Sequence, residues 1–203
     1  MLRIAHFLRL MCIVLAMAAG SAQAEEIEVR DAELRATEEG LTLNADFSFE
    51  LNARLTEALT NGIPLYFVVD FELTRPRWYW FDEKTLAKRM QQRLSYHLLS
   101  RQYRLSSGPL QQSFPTLEEA LGVLRHVRYW QVAERPAISP DTDYEAAVRM
   151  RLDRSLLPKP FQLSAITTGE WHLESPWKRF PFRAGPAPAA PVESRELKRV
   201  ETK

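Results

Sequence analysis

The chain has 203 residues, of which 45% are hydrophobic and 26% charged, and its 27 basic and 26 acidic side chains nearly cancel. This composition is typical of a globular protein of one domain. It disfavours a strongly basic nucleic-acid-binding protein and an acidic disordered chain, because neither would be so close to neutral.

The first 24 residues have the pattern of a cleavable signal peptide. Arg3 and Arg9 precede or begin an apolar run over residues 10–19, and small residues end the segment at Ala22-Gln23-Ala24. The run is about half as long as the ~20 residues that a transmembrane helix needs. We predict export to the periplasm with cleavage after Ala24 and no transmembrane span thereafter. The alternative is an uncleaved membrane anchor.

The mature chain is predicted to hold one β-rich domain over residues 25–182, followed by a tail over residues 183–203. Cys12 is the only cysteine and belongs to the signal segment. A disulfide or a thiolate metal site is therefore excluded in the mature chain, which depends on a hydrophobic core. The tail is first rich in alanine and proline and then in mixed charges, which predicts disorder.

Hydrophobic residues alternate with polar residues in several segments, which predicts strands with one buried face. The clearest alternations cover residues 41–51, 65–73 and 144–152. They favour an antiparallel sheet, because buried parallel strands have continuous apolar runs. A further strand is predicted over residues 27–36, with a bulge or bend near Asp31 where the alternation slips.

Two short helices are predicted between the strands. Thr116 and Glu119 form a capping box before a helically spaced apolar set. That set is Leu117, Ala120, Leu121 and Leu124. The other helix begins at Asn52 and ends at Asn61-Gly62, where glycine can adopt the left-handed conformation.

Residues 84–106 allow two interpretations. Ala87, Met90, Leu94 and Leu98 have helical spacing, whereas the alternation around Leu94 fits a strand. We favour strands over residues 89–98 and 102–106 and keep the helix as the alternative.

The most unusual segment is the aromatic run over residues 75–83. In a strand, Trp78 and Trp80 share one face, and Arg75 and Arg77 flank them. The simpler interpretation is a central strand that is packed on both faces. The functional alternative is an exposed platform that binds a ligand or partner by stacking and cation–π contact.

A basic face is predicted next to this run. Arg89, Gln91, Arg93, Ser95 and His97 would line one side of a strand, with Lys88, Arg101 and Arg104 nearby. Such a face could hold phospholipid head groups, lipopolysaccharide phosphates or an acidic protein loop. The simpler alternative is a solvated face whose charges are paired on neighbouring strands by Asp70, Glu72, Asp143 and Glu145.

Motifs of catalysis are missing from the sequence. It has no H-E-x-x-H, no G-x-S-x-G and no glycine-rich phosphate loop, and only seven glycines in all. His97, His126 and His172 lack ligand-like spacing. We therefore predict a non-enzymatic protein without catalytic residues, metal or cofactor. The remaining enzymatic alternative is a carboxylate site at Asp70 and Glu72, which would need a pocket and a raised pKa.

Four segments resemble a known family. They are Phe-Glu-Leu-Thr-Arg-Pro-Arg-Trp-Tyr-Trp at residues 71–80, Arg-Leu-Ser-Tyr at 93–96, Arg-Gln-Tyr-Arg at 101–104 and Leu-Pro-Lys-Pro-Phe-Gln at 157–162. The chain up to about Phe182 resembles an exported proteobacterial family described as a domain of unknown function. Its members are often encoded beside a nitrogen-regulation-type membrane sensor kinase and its response regulator. The resemblance implies a periplasmic location and a link to envelope signalling, but no activity or site residue.

Taken together, these patterns predict a mainly β protein, an antiparallel β-sandwich with one or two short helices, with an α+β fold as the alternative. We expect a non-enzymatic periplasmic binding or accessory protein that contacts an envelope protein, with the extracytoplasmic part of a sensor kinase as the candidate partner. The alternative is a binder of anionic lipid or envelope glycan through the basic face. A nucleic-acid partner is not expected. The candidate interaction surface comprises Arg75, Arg77, Trp78, Trp80, Arg89, Arg93, His97 and Arg101.

Overall fold

The computed structural model describes residues 26–37, 39–76, 83–134, 139, 142–162, 169–183 and 185. In chain order the elements are β1 (Glu28–Ala36), β2 (Gly40–Ser48), α1 (Ala53–Thr60), β3 (Leu65–Arg75), β4 (Glu83–His97), β5 (Gln102–Ser107), β6 (Leu110–Phe114), α2 (Leu117–Leu124), β7 (His126–Glu134), β8 (Asp143–Leu152) and β9 (Lys178–Arg183). Two 3-10 turns lie at Arg154–Leu156 and Gly169–Trp171, and residues 159–162 form one further helical turn.

The strands form two antiparallel sheets, as the alternating patterns predict. The smaller sheet has the order β1-β2-β7, and the larger has the order β6-β5-β4-β3-β8-β9. Their inner faces pack on each other: the rings of Phe71 in β3 and Trp130 in β7 meet edge to face with centroids 6.4 Å apart. The fold is thus a mainly β sandwich, and its buried residues form one continuous apolar core.

The alternation in the three clearest segments matches the buried face of each strand. Leu65, Phe67, Val69, Phe71 and Leu73 of β3 are all fully buried. The odd-numbered apolar positions of β2 and the even-numbered ones of β8 are buried in the same way. Each strand therefore contributes a full row of side chains to the core between the sheets.

The outer face of β3 is less exposed than the alternation indicates. Val68 and Asp70, the even-numbered residues that the alternation over residues 65–73 places on the polar face, are only 1% and 7% exposed. The reason is that β3 is a central strand, with β4 on one side and β8 on the other. Long side chains of both neighbours cover it, because an arginine can lay its aliphatic stem over a sheet while its guanidinium reaches water.

The irregularity predicted in the first strand is confirmed. The pairing of β1 with β2 shifts register between Val29 and Asp31. An extra residue at this point explains why the sequence alternation slips there.

Both helices begin at the caps that the sequence predicts. The Oδ1 of Asn52 accepts a hydrogen bond from the backbone N–H of Leu55 at 2.8 Å, and Oγ1 of Thr116 accepts one from Glu119 at 3.3 Å. After α1, Gly62 has a φ of +85°, the left-handed conformation that favours glycine.

The region from residue 84 to 106 consists of strands, and the helical alternative was wrong. β4 pairs with β3 along nearly its whole length, with Leu94 opposite Leu65 and Met90 opposite Val69. This cross-strand pairing overrides the helical spacing of its apolar residues. β4 ends at His97, so Leu98, expected to be its last inward residue, lies in a turn and is 62% exposed.

The two sheets differ in width, which leaves part of the larger sheet without a partner sheet. β7 is the edge strand of the smaller sheet, and α2 contacts β5, β6 and β7 beyond it. No helix among the described residues is long and apolar enough to cross a membrane.

Candidate binding surface on the six-stranded sheet

The structure brings three of the predicted surface residues onto one face. The outer face is defined here as the side of the six-stranded sheet that points away from the smaller sheet. Arg89, Arg93 and His97 lie on the outer face of β4, because they alternate with the buried Gln92 and Leu94. This confirms the side of the strand to which the alternation assigned them.

The other predicted residues do not join this group. Arg101 lies in the turn between β4 and β5 with a φ of +53°. Arg75 is exposed at the end of β3. It lies five residues further along the strand than Asp70, the residue that is opposite Arg89 in the register. That separation is roughly 17 Å along the strand. Arg77, Trp78 and Trp80 lie outside the described residues, so whether the two tryptophans are exposed stays a prediction.

Asp70 is the centre of an arginine cluster on the outer face. Its Oδ1 accepts a hydrogen bond from Nε of Arg89 at 2.8 Å. Its Oδ2 accepts from Nε of Arg151 at 3.0 Å and from Nε of Arg149 at 3.2 Å. Arg89 comes from β4 and the other two from β8, so a single carboxylate joins three adjacent strands.

The pKa of Asp70 is lowered within this cluster. Burial by itself would raise the pKa, but the hydrogen bonds and charges of Arg89 and Arg151 outweigh burial and lower it. Asp70 is therefore a firmly ionised partner of the arginines. An acid–base site at this position would need a carboxylate with a raised pKa, whereas the pKa of Asp70 is lowered.

The sequence indicated that arginines would pair with Asp70 but did not identify Arg149 and Arg151. Both lie on the outer face of β8, where Arg149 also contacts Glu174 and places its guanidinium 4.6 Å from the ring centroid of Trp177. Their alternation with buried residues was visible, but the adjacency of β8 to β3 was not. Knowledge of the strand order would have placed them beside Asp70.

The half of the outer face formed by β4 and β5 has a different character. We call its outward residues the basic face; they are Arg89, Gln91, Arg93, Ser95, His97, Gln102, Arg104 and Ser106. The sequence contains no aspartate or glutamate over residues 84–117. These outward residues of β4 and β5 are therefore positive or uncharged and hydrogen-bonding, and from residue 84 onward neither strand supplies a carboxylate to this face. Asp70 of the neighbouring β3 neutralises Arg89.

Arg93 and Arg104 are the two arginines of the basic face that have no ion-pair partner among the described residues. Arg93 is opposite Ser106 and Arg104 is opposite Ser95, so the two are diagonal cross-strand neighbours. The Cα atoms of such diagonal neighbours are roughly 7–8 Å apart. Neither forms an ion pair with any described residue, and Nε of Arg104 is buried without an acceptor there. An anion bridging the two guanidiniums would supply the missing acceptor.

The simpler interpretation, in which the basic residues are paired with acids on neighbouring strands, holds for several arginines of the outer face. Arg89 is paired with Asp70, Arg179 with Glu145 at 2.7 Å and Arg183 with Asp143 at 3.6 Å. Apart from Arg89 of β4 and its partner Asp70 in β3, these paired charges lie on β8 and β9. The unpaired ones are concentrated on β4 and β5.

The histidines stay apart within the described part of the chain. His97 bonds Ser100 through Nδ1 at 2.9 Å, His126 contacts the carbonyl of Gly122, and His172 is exposed near the second 3-10 turn. No three His, Cys, Asp or Glu side chains among the described residues come together as a metal site would need.

Comparisons with known proteins identify a family whose function is unknown. No curated protein matches the chain, and no solved structure matches it. A family model described as "Domain of unknown function (DUF4390)" matches residues 24–181, which include every strand except the last residues of β9. The chain therefore belongs to the DUF4390 family.

Proposed function

We propose that this protein is an exported, non-catalytic binding or accessory module whose basic face holds an anionic group of an envelope partner. The observation that carries the proposal is the pair formed by Arg93 and Arg104, two neighbouring arginines without ion-pair partners among the described residues. Their like charges repel each other, so a bound anion would stabilise both.

The surroundings of this pair favour a phosphate-bearing lipid or glycan as the partner. The neighbouring outward positions hold Gln91, Ser95, Gln102 and Ser106, which are short or uncharged hydrogen-bonding residues. Phosphate and sugar oxygens match such donors, and guanidinium groups bind phosphate in two-point geometry. A protein interface of high affinity would instead be expected to have a buried aromatic or aliphatic centre, which these positions lack.

The predicted export of the chain supports this choice of partner. The signal-like first 24 residues, if cleaved, would deliver the domain to the periplasm, which is bounded by membranes that carry anionic phospholipid head groups. The periplasmic part of a sensor kinase stays the alternative partner, and it would have to present an acidic loop to the same arginines.

Vesicle sedimentation tests the proposal. The purified protein should bind phosphatidylglycerol vesicles but not phosphatidylcholine vesicles, and the binding should weaken as salt rises. Replacement of Arg93 and Arg104 by glutamine should weaken binding about fivefold for each residue, because an arginine near an anionic surface contributes roughly 1 kcal/mol.

A matched control is available on the same sheet. Arg179 lies on the outer face of β9 and is 62% exposed, but it is paired with Glu145. Arg179→Gln should leave binding nearly unchanged. Equal losses at Arg179 and at Arg93 would indicate attraction by overall charge and would contradict a specific basic face. If the vesicles do not bind and the kinase domain does, in a manner that depends on Arg93, the alternative partner is the correct one.

A further inference from the structure

A cleft lies on the opposite side of the same strands, independent of the basic face. It has a volume of about 500 Å³ and lies between the inner faces of β4, β5 and β6 on one side and α2 with the start of β7 on the other. This is within the range of small-molecule sites. It exists because the smaller sheet ends at β7, so that among the described elements the short helix α2 alone covers the inner face beyond it.

The walls of the cleft are mostly apolar. Met90 and Leu105 contribute from the six-stranded sheet, and Val127 contributes from β7. Leu110 and Val123 lie at its borders and are 70% and 38% exposed, large fractions for aliphatic side chains. Met90 adds adaptability, since its unbranched thioether can adjust to the shape of an apolar ligand.

A glycine in the last turn of α2 lines the cleft on the helix side. Gly122 lines it, and a Cβ added to Gly122 would meet nothing within 4 Å. Its φ is not in the left-handed region. Packing therefore does not require glycine here, although glycine destabilises a helix interior by about 1 kcal/mol relative to alanine. A larger side chain can therefore be placed at this border of the cleft without a clash at its Cβ.

A buried polar group also lines the cleft. Gln92 is only 8% exposed, and its side-chain carbonyl oxygen has no hydrogen-bond donor within the described residues. A buried unsatisfied carbonyl is unfavourable. Rotation of the terminal amide, which has a broad torsional preference, can present this oxygen to a donor in the cleft.

We propose that this cleft binds the acyl chain of an amphiphile, with a hydroxyl group on the chain donating to the carbonyl oxygen of Gln92. The apolar walls take the methylene groups, whose removal from water drives binding. Ser107, Gln112, His126 and Arg128 lie at the polar rim, where the head group of the amphiphile would stay in contact with water.

Binding of defined chains to the purified protein tests the proposal. The probes are dodecanoic acid, 3-hydroxydodecanoic acid and a lysophospholipid with one 3-hydroxydodecanoyl chain, each measured by titration calorimetry. Saturable binding of at least one probe is expected, and the hydroxylated acid should bind roughly three- to tenfold more tightly than dodecanoic acid. Binding of the lysophospholipid alone would indicate a lipid-borne chain, and binding of the acids alone would indicate a free fatty acid.

Gly122 offers a pair of matched variants. Gly122→Phe should fill the cleft and weaken binding at least tenfold, whereas Gly122→Ala adds only a methyl group and should keep most of it. Both should remain folded, because the added atoms enter open space and both residues are better helix formers than glycine. Thermal unfolding of each variant checks this.

A second readout follows Gln92 directly. Its side-chain amide resonances should shift in NMR spectra of the wild-type protein as 3-hydroxydodecanoic acid is added. Absence of saturable binding by every probe would overturn the proposal. Equal binding to Gly122→Phe and wild type, or shifts confined to residues outside the cleft, would also overturn it, as would saturable binding of an apolar peptide only.

Discussion

Asp70 of β3 and Arg89 of β4 are opposite each other in the strand register, and Nε of Arg89 donates to Oδ1 of Asp70 at 2.8 Å. Asp70 is 7% exposed, and Arg149 and Arg151 bind the second oxygen of its carboxylate from the other side. One ionised residue thereby links three adjacent strands of the larger sheet, β4, β3 and β8. It also separates the paired charges near β8 from Arg93 and Arg104, which have no ion-pair partner among the described residues.

Replacement of this carboxylate should destabilise the fold. Asp70→Asn removes the negative charge while keeping the size of the side chain, and it leaves three guanidiniums close together without their common partner. We expect a loss of about 2–3 kcal/mol in the free energy of unfolding, below the usual cost of breaking a fully buried pair because the arginines are partly solvated. Urea denaturation followed by tryptophan fluorescence measures it.

The control for this variant is an exposed ion pair on the same sheet. Glu145→Gln removes the partner of Arg179, whose side chain is 62% exposed. Its unfolding free energy should change by less than about 0.5 kcal/mol. A loss at Asp70 no greater than the loss at Glu145 would contradict a structural role for the cluster.

The free energy of unfolding should fall at low pH because Asp70 becomes protonated. The arginines hold its pKa below the ordinary value of 3.8, although burial acts in the opposite direction. Since the pKa is lower in the folded than in the unfolded state, the stabilisation is fully present above about pH 4 to 5. It is lost as the pH falls through the lowered pKa.

Unfolding curves at pH 6 and at pH 3 test this dependence. The wild type should lose more unfolding free energy between these two pH values than Asp70→Asn, which has no carboxylate to protonate at this position. Equal losses in the two proteins would show that other groups account for the acid sensitivity.

The sequence was sufficient for much of the fold because its strands have one buried face. Period-two alternation located the core residues of β2, β3 and β8, and capping residues located α1 and α2. Strand order was not accessible, since the alternation of one strand carries no information about its neighbours. The burial of Val68 and the pairing of Asp70 with Arg151, 81 residues away, both follow from that order.

The candidate site could be predicted only in part. The alternation placed Arg89 and Arg93 together on one side of a strand, but it could not show which of them is neutralised by an acid on the next strand. Cross-strand pairing decides this: Arg89 meets Asp70, whereas Arg93 is flanked by Tyr66 and Ser106. The cleft behind these strands also follows from the unequal widths of the sheets, which local patterns do not report.

Gly40 at the start of β2 should not tolerate any side chain. Its φ is +150°, and a Cβ at this position would lie 1.9 Å from the backbone carbonyl oxygen of Ala133 in β7. Gly40→Ala must therefore push apart two paired strands, and we expect a loss of at least about 3 kcal/mol in unfolding free energy.

A second glycine provides the comparison for Gly40. Gly108, in the turn between β5 and β6, has a φ of +56°, but a Cβ added there would meet nothing within 4 Å. Gly108→Ala should cost only the backbone strain, roughly 1–2 kcal/mol. Thermal or urea unfolding of the two variants should rank Gly40→Ala as the more damaging, and the reverse ranking would contradict the close approach of β2 to β7.

NMR spectra of the arginine Nε–H groups test the central claim, that the basic face binds an anionic group, most directly. A soluble phosphatidylglycerol with two hexanoyl chains is titrated into the ¹⁵N-labelled protein. Saturable shifts are expected for Arg93 and for Arg104, whose Nε is buried without an acceptor among the described residues, and little change is expected for Arg149 and Arg151, whose Nε atoms already bind Asp70. Absence of shifts at Arg93 and Arg104, or equal shifts at all four arginines, would contradict it.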